Sequence, residues 1–408
     1  MKVVRIVSEL DFGGVEKVLA NSLPALQKQK GLELKLIVLG QGGKVAEELA
    51  AKGIPLQILG FNPKIPNFKL LRKIKGIIKE FGPDVVHAQG GEANFHGIWA
   101  AKFSNVPLII GEEIGIPNHH SFWRYVFKWV YKKADFIITI SEAVKRNVVE
   151  LGEVEEEKVK VVYNPVGSQL TVVSDQLEAF KDNGQESAQV AREEKKKRDF
   201  SPRASVRNDQ NTSDSAFVFV TTCRFVPIKN LDRLLIAFDE LVKENQGRQI
   251  FLKIIGDGPE RQNLDFRIQN LELGNHVELV GFQQDIWPFL QEADAFVLPS
   301  LQEGSSVSLA EAMSAGLPSI VTKVGGAPEI LGKSQSGILI DPLSTSEIQN
   351  AMQSFLDLSV DERKEIGLRA KEEAKRFSVE NYIDTLMSFY GLSDFNLPAV
   401  AGPKPFDL

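Results

Sequence analysis

Glu303 and Glu311, with seven residues between them, stand within one unit of chain that can bring two carboxylates to the same ligand. Residues 294–331 read as strand, loop, helix and strand. The apolar run 295–298 is a buried strand that Pro299 ends. Gly304-Ser305-Ser306 makes a loop whose serines can cap the next helix. That helix runs to about residue 315, where Gly316 suits a left-handed C-terminal position and Pro318 blocks continuation. A second apolar run, 319–324, restarts a strand. Such a crossover makes a parallel sheet, and ligands sit beyond the carboxyl ends of its strands. Loop 301–306 lies there, and the amides of Gly304, Ser305, Ser306 and Val307 at the helix start favour an anion. Glu303 would then hold a polar ligand, and Glu311 would accept hydrogen bonds from its hydroxyls. A nucleotide sugar supplies both anion and hydroxyls. The alternative makes Ser308 and Glu311 a capping box and Glu303 a solvated loop residue. It leaves a helix of about two turns, short against an ordinary helix of about 11 residues.

Two cations have matching chemistry. Arg224 and Lys229 follow the strand 216–221 and precede the helix 232–244. At the carboxyl end of a strand they can neutralise a diphosphate. As plain surface charge they would sit near a helix start, where cations are mildly unfavourable. Near the amino terminus, strand 3–7 leads through Gly13 and Gly14 into a helix over 15–29. These glycines let a backbone approach a phosphate or sugar closely, although a tight turn alone accounts for them equally well. His87 ends a strand over 84–89, where a histidine can serve the sheet or reach a substrate. Glu112 and Glu113 end the strand 108–111, and His119 and His120 follow in the next loop.

Glu303-x7-Glu311, followed by Ala-Met-Ser-Ala-Gly-Leu-Pro and Gly-Gly-Ala-Pro-Glu-Ile, resembles the donor-site signature of family 4 retaining glycosyltransferases. Ile-Thr-Ile-Ser-Glu-Ala-Val-Lys and Val-Val-Tyr-Asn-Pro resemble the end of that family's N-terminal domain. The resemblance covers residues 1–166 and 216–391. It implies an α/β GT-B fold, two facing Rossmann-like domains with an inter-domain cleft. The family's Gly-Arg-x4-Lys-Gly is met by Arg224 and Lys229, with Cys223 and Asn230 in place of the glycines. By this resemblance Arg224 and Lys229 hold the donor diphosphate, Glu303 the sugar and Glu311 the ribose. Gly13 and Gly14 face the diphosphate from the N-terminal side, and Gly281 and Phe282 lie where relatives bind the base. His87 is the first member of a His-x-His pattern whose second member is Gln89, and stands as a catalytic candidate. The family's sugar-contacting histidine is replaced by Glu113, with Glu112, His119 and His120 as other candidates for its role.

The implied reaction moves a sugar from a nucleoside diphosphate to a hydroxyl of a glycan or lipid-linked acceptor, with the anomeric configuration retained. A UDP-sugar is favoured over a GDP-sugar, and the setting is bacterial surface polysaccharide or glycoconjugate synthesis. No further cofactor is implied, and no Asp-x-Asp triplet calls for a metal. A nucleotide-sugar epimerase on the same fold and a catalytically silent nucleotide-binding protein are the rivals. A dehydrogenase would need a clean Gly-x-Gly-x-x-Gly after the first strand, which is lacking.

The elements that must position these residues fit a chain of 408 residues with two full cores. Residues 1–167 form an N-terminal acceptor-side domain and 216–377 the donor domain. The stretch 168–215 reads as a linker or insertion, 378–391 as a helix crossing back, and 392–408 as a tail. One cysteine, Cys223, excludes an internal disulfide and a Cys-rich metal site. No signal peptide and no apolar run of spanning length is expected. A net charge of −6 argues against bulk nucleic-acid binding. Residues 1–167 nevertheless carry 23 Lys and Arg against 18 Asp and Glu, so the first half is the one suited to an anionic surface. Its helix 67–81 sets Phe68, Leu71, Ile74 and Ile78 against Lys69, Arg72, Lys73, Lys75 and Lys79. Residues 122–133 set Trp123, Tyr125, Phe127, Trp129 and Tyr131 among Arg124, Lys128, Lys132 and Lys133. These expectations place the protein in the cytoplasm, peripheral to the inner face of the membrane; the alternative packs the aromatics into the core.

Overall fold

The computed structural model describes residues 1–11, 13–117, 119, 121–167 and 216–391. The expected linker 168–215 and tail 392–408 lie outside the described residues, as does His120. Short runs rich in Val, Ile and Leu form the strands, and most are buried on both faces, as parallel strands between helix layers must be. The first sheet contains β1 (Lys2–Val7), β2 (Glu33–Val38), β3 (Leu56–Ile58), β4 (Val85–Gln89), β5 (Leu108–Glu113), β6 (Phe136–Thr139) and β7 (Val159–Val161). Their order is β3-β2-β1-β4-β5-β6-β7, all parallel. The second sheet contains β8 (Phe217–Thr222), β9 (Ile250–Ile255), β10 (Val277–Gly281), β11 (Ala295–Leu298), β12 (Ser319–Thr322) and β13 (Gly337–Ile340). Its order is β10-β9-β8-β11-β12-β13, again parallel. In each sheet the order reverses once, between β1 and β4 and between β8 and β11. The crevice beyond the strand ends opens at such a reversal.

The helix Phe68–Phe81 illustrates how local sequence sets an element. Asn67 caps it, its side chain accepting from Leu70 N, and Gly82 ends it in the left-handed region at φ 63°. Leu70, Ile74, Ile77 and Ile78 are buried, while Phe68 departs from the expected apolar stripe and stands 73 % exposed at the first turn. The helix Gly91–Lys102 has no counterpart in the sequence reading. It is apolar around most of its circumference and buries Ala93, Ile98, Trp99, Ala100 and Ala101, so no period of polar residues marks it. The helix Ala327–Leu331 and strand β13 are likewise elements that the sequence reading did not contain.

The last helix, Val379–Phe389, packs against the first helix of the chain. Tyr382, Ile383 and Leu386 share a core with Val18, Leu19 and Leu23 of the first helix, Gly14–Gln27. A buried polar network pins this crossing. Arg5, wholly enclosed, donates to Gln89 Oε1 at 3.0 Å and pairs with Glu112 at 3.3 Å. Gln89 Nε2 donates to the other Glu112 oxygen at 3.1 Å. Tyr390, next to the last helix, lies 2.8 Å from His87 Nδ1 and accepts from Arg5 Nη1 at 3.4 Å.

Candidate functional site

The Glu303 carboxylate is built into the strand reversal of the second sheet. β11 delivers the chain through Pro299 and Ser300 to the loop, and Ser300 Oγ donates to Glu303 Oε1 at 2.6 Å. Lys229 Nζ donates to the same oxygen at 2.6 Å. Lys229 closes a short 3-10 turn, Pro227–Lys229, directly before Asn230. Asn230 has φ 56°, the left-handed conformation that glycine takes most easily and asparagine better than most other residues. Its side-chain amide donates to the carbonyls of Pro299 and Pro342 at 3.1 and 2.8 Å. Asparagine therefore meets the conformational demand of the family's glycine and adds a tie between loops. Leu301 N completes the junction on Ile228 O at 2.8 Å. Arg224 stands exposed at the end of the same strand, β8. Burial pushes the thiol of its neighbour Cys223 up to about 12.

The helix Val307–Ala315 starts from Ser306, whose Oγ accepts from Leu309 N at 3.3 Å, and ends at Gly316 with φ 84°. Ser308 lies inside the helix, so the alternative Ser308–Glu311 capping box is not formed. Glu311 is buried instead and pairs with Lys17 of the N-terminal domain. Burial raises the Glu311 carboxyl above its ordinary value, and Lys17 opposes that rise. Gly13 and Gly14 open the helix that carries Lys17, and the Gly13 carbonyl accepts from Lys17 N at 3.1 Å. The helix that the glycine loop opens and the helix that follows Glu303 thus meet across the domain boundary. Gly281 closes β10 with φ 86°, and Phe282 follows, more than half exposed at the carboxyl edge of the second sheet.

His87 is not brought to this cleft. It is fully buried between the first sheet and the last helix, with Nε2 2.9 Å from Glu112 Oε2 and Nδ1 on Tyr390. Burial, reinforced by Arg5, pushes its ring down to about 4, so it is neutral at ordinary pH. Burial would push Glu112 up, yet His87 and Arg5 outweigh it and hold the carboxyl below its usual range. Both residues serve the seat of the crossing helix. His-x-Gln at the end of β4 supplies two members of that network rather than a group aimed at substrate.

Glu113 points to the other face of the first sheet. It accepts from the Tyr131 hydroxyl and lies 3.5 Å from Asn94 Nδ2. Burial pushes its carboxyl up to about 7. His119 stacks on Phe127 at 4.2 Å and sits 2.7 Å from Glu153 Oε1. Burial lowers the His119 ring, and Glu153 outweighs it, so the net shift is upward. Two residues beyond Glu113, the Gly115 backbone abuts the donor-side loop: a Cβ on Gly304 would stand 2.9 Å from Gly115 Cα.

Lys17, Ser141 and Glu329 belong to the site although sequence spacing did not single them out as site residues. Ser141 Oγ donates to Gly304 O at 2.6 Å across the domain boundary. Glu329 accepts from the amides of Glu142 and Ala143, at 2.7 Å each. The only local signals were a helix cap at Ser141 and the glutamate of Gly-Gly-Ala-Pro-Glu.

Two doubly wound domains that face each other across the Lys17–Glu311 pair and the Ser141–Gly304 hydrogen bond define a GT-B protein. Comparison with known proteins agrees. Residues 12–169 match the model of Glycosyltransferase Family 4, and residues 202–373 match that of Glycosyl transferases group 1. This chain belongs to the group 1, family 4 glycosyltransferases, and it is a glycosyl-transfer enzyme. An N-acetyl-alpha-D-glucosaminyl L-malate synthase of Bacillus anthracis is 27 % identical over 45 % of this chain and 48 % of its own length. A UDP-Gal:alpha-D-GlcNAc-diphosphoundecaprenol alpha-1,3-galactosyltransferase of Escherichia coli is 25 % identical over 72 % of this chain and 71 % of its own. The crystal structure of Anabaena HepE in complex with UDP superposes with a TM-score of 0.74 at 20 % identity, covering 96 % of this chain and all of HepE. A putative colanic acid biosynthesis glycosyltransferase of Escherichia coli is 29 % identical over 38 % of this chain and 40 % of its own length. Among the described residues no helix is long and apolar enough to cross a membrane.

Proposed function

We propose that this enzyme transfers a sugar from a UDP-sugar to a hydroxyl of a lipid-linked or glycan acceptor in surface polysaccharide or glycoconjugate synthesis, with retention. The observation that carries this reading is the Lys229–Glu303 pair at the β8/β11 reversal, beside the loop that starts the next helix, with Arg224 exposed just beyond the end of β8. A lysine ammonium has three donors, and Glu303 uses one. The others, with Arg224 and the amides from Gly304 to Val307, suit a diphosphate. Glu303 suits a sugar hydroxyl, and Glu311 suits the ribose. HepE, similar in fold, was solved with UDP and with UDP-glucose, and the Escherichia coli relative is named for a UDP-sugar and a diphosphoundecaprenol acceptor.

In the step that follows, the acceptor oxygen bonds to the anomeric carbon as that carbon's bond to the β-phosphate oxygen breaks. The nucleoside diphosphate leaves with the electron pair and takes the acceptor's proton on the same face. The protein contributes charge placed in advance and orientation. A lipid-linked acceptor fits the N-terminal surface, where Phe68, Phe103, Phe122, Tyr125 and Trp129 are exposed among lysines and arginines. We place the protein in the cytoplasm, on the inner face of the membrane.

A thermal-shift panel of nucleotide sugars tests the donor. A UDP-sugar should raise Tm by mass action, and GDP-sugars should raise it less. Incubation with the matching donor alone should leave the sugar's configuration unchanged; epimerised donor would support the epimerase instead.

A further inference from the structure

The donor loop is gripped from behind by two separate pieces of chain. The Glu303 carbonyl accepts from Gly326 N at 3.2 Å. The next carbonyl, that of Gly304, accepts from Ser141 Oγ at 2.6 Å. In a trans peptide the C=O of one residue and the N–H of the next point in opposite directions. Two successive carbonyls held from behind therefore turn the Gly304 and Ser305 N–H groups to the open side. Neither N–H donates to any acceptor among the described residues.

The grip crosses the domain boundary. Ser141 follows β6, is fully buried and caps the helix Glu142–Glu150, its Oγ accepting from Val144 N at 3.1 Å. A hydroxyl carries a single proton. With the cap using a lone pair, that proton is committed to Gly304 of the other domain. Glu329 then takes the next two free amides of the same helix, Oε2 on Glu142 N and Oε1 on Ala143 N, each at 2.7 Å. A carboxylate is the ion a helix N-terminus holds best. Tyr163 and Arg146, both of the N-terminal domain, lie 3.4 and 3.7 Å from Glu329 oxygens.

The glycines of Gly-Gly-Ala-Pro-Glu make the approach feasible. A Cβ on Gly325, which has φ 59°, would fall 1.6 Å from the Glu303 carbonyl oxygen, and one on Gly326 would fall 2.6 Å from that of Gly304. We infer that Ser141 and Glu329 are positioning residues of the donor site. The Gly325-Gly326 backbone sets the Gly304 amide from within the donor domain, and Ser141, seated by Glu329, sets the Ser305 amide towards the sugar-diphosphate end of the donor when the two domains are together. This rests on the donor reading above. Donor binding and domain closure then favour each other, by linkage.

Calorimetry on the full chain, titrated with UDP and with uridine, tests this. Ser141→Ala and Glu329→Gln should each weaken UDP by about three- to tenfold, the scale of one net hydrogen bond, and leave uridine unchanged because it lacks the phosphates. Hydrogen exchange of segment 301–306 without ligand should quicken in both variants, a reading that needs no binding. Wild type that fails to bind UDP overturns the donor reading, and this inference with it. Wild type that binds UDP while Ser141→Ala binds it equally and exchanges no faster overturns this inference alone.

Discussion

Lys17, on the first helix of the N-terminal domain, pairs with Glu311, on the helix that follows the donor loop in the C-terminal domain. The pair joins the glycine loop to the site at which the ribose is proposed to bind. Glu311 is buried, so without Lys17 its charge would lack the one cation that pairs with it among the described residues. A ribose whose hydroxyls reach Glu311 shares it with Lys17, which stays within reach because its side chain is about a third exposed.

The two glutamates should separate in their effects. Glu311→Gln replaces a charged acceptor by a weaker one and should raise the Kd for UDP by about tenfold. Glu303→Gln should slow turnover more than it weakens UDP, because its proposed partner is the sugar. Calorimetry with UDP beside the full UDP-sugar distinguishes the two roles. Loss of UDP binding in Glu303→Gln, with Glu311→Gln unaffected, would reverse the assignment.

Arg224→Ala and Lys229→Ala should each lower transfer by about 2–4 kcal/mol of transition-state stabilisation. Stability should tell them apart. Arg224 is exposed, so its loss should leave Tm unchanged. Lys229→Ala removes the cation from the buried Glu303 carboxylate, leaving Ser300 as its side-chain partner among the described residues, and should cost about 1–3 kcal/mol of stability. Activity should persist in excess EDTA, since these cations and the loop amides take the place of a metal. Transfer within threefold of wild type in both variants, or activity that needs added Mg²⁺ or Mn²⁺, would count against the mechanism.

Glu113 should leave a mark on stability against pH. Its carboxyl rises from an ordinary value of 4.5 to about 7 on folding, chiefly by burial. The folded state therefore holds the proton more tightly than the unfolded state. The stability this contributes is full below about 4.5 and is lost as pH rises through about 7. Wild type should lose on the order of 3 kcal/mol across that window relative to Glu113→Gln, which cannot ionise. Urea denaturation of both proteins at pH 5, 6, 7 and 8 measures it. Parallel stability profiles would mean that Glu113 stays ionised throughout.

The N-terminal surface should bind anionic vesicles. The helices Phe68–Phe81, Gly91–Lys102 and Ser121–Tyr131 lie side by side, tied by Trp99 against Trp129 at 4.3 Å and Lys75 over Phe103 at 5.5 Å. Phe127 and Tyr131 turned out to face the core, which leaves Phe122, Tyr125 and Trp129 for the surface. Co-sedimentation should need anionic lipid, weaken from low to moderate salt, and fall when Lys69, Arg72, Lys73 and Lys75 are changed to Glu. Wild type that stays in the supernatant with anionic vesicles at low salt would point to an acceptor in solution.

What the sequence by itself determined is everything with a local cause. Apolar runs, Gly316 and Pro318 mark the strand, loop and helix around Glu303 and Glu311, because strand burial and helix termini depend on residues a few places apart. Arg224 and Lys229 were readable for the same reason: both follow one strand, and Lys229 meets the loop of its neighbour. Tertiary structure decided the rest. The helix Gly91–Lys102 left no periodic trace because solvent touches little of it. His87 looked like a reactive strand-end histidine until Tyr390, 303 residues away, closed over it. Lys17, Ser141 and Glu329 join the site only through partners 163 to 294 residues distant, Lys17 with Glu311 being the farthest. A one-dimensional pattern records how a residue suits its own element. Which surface of another domain that element will face is settled only when the two sheets pack and the last helix crosses back.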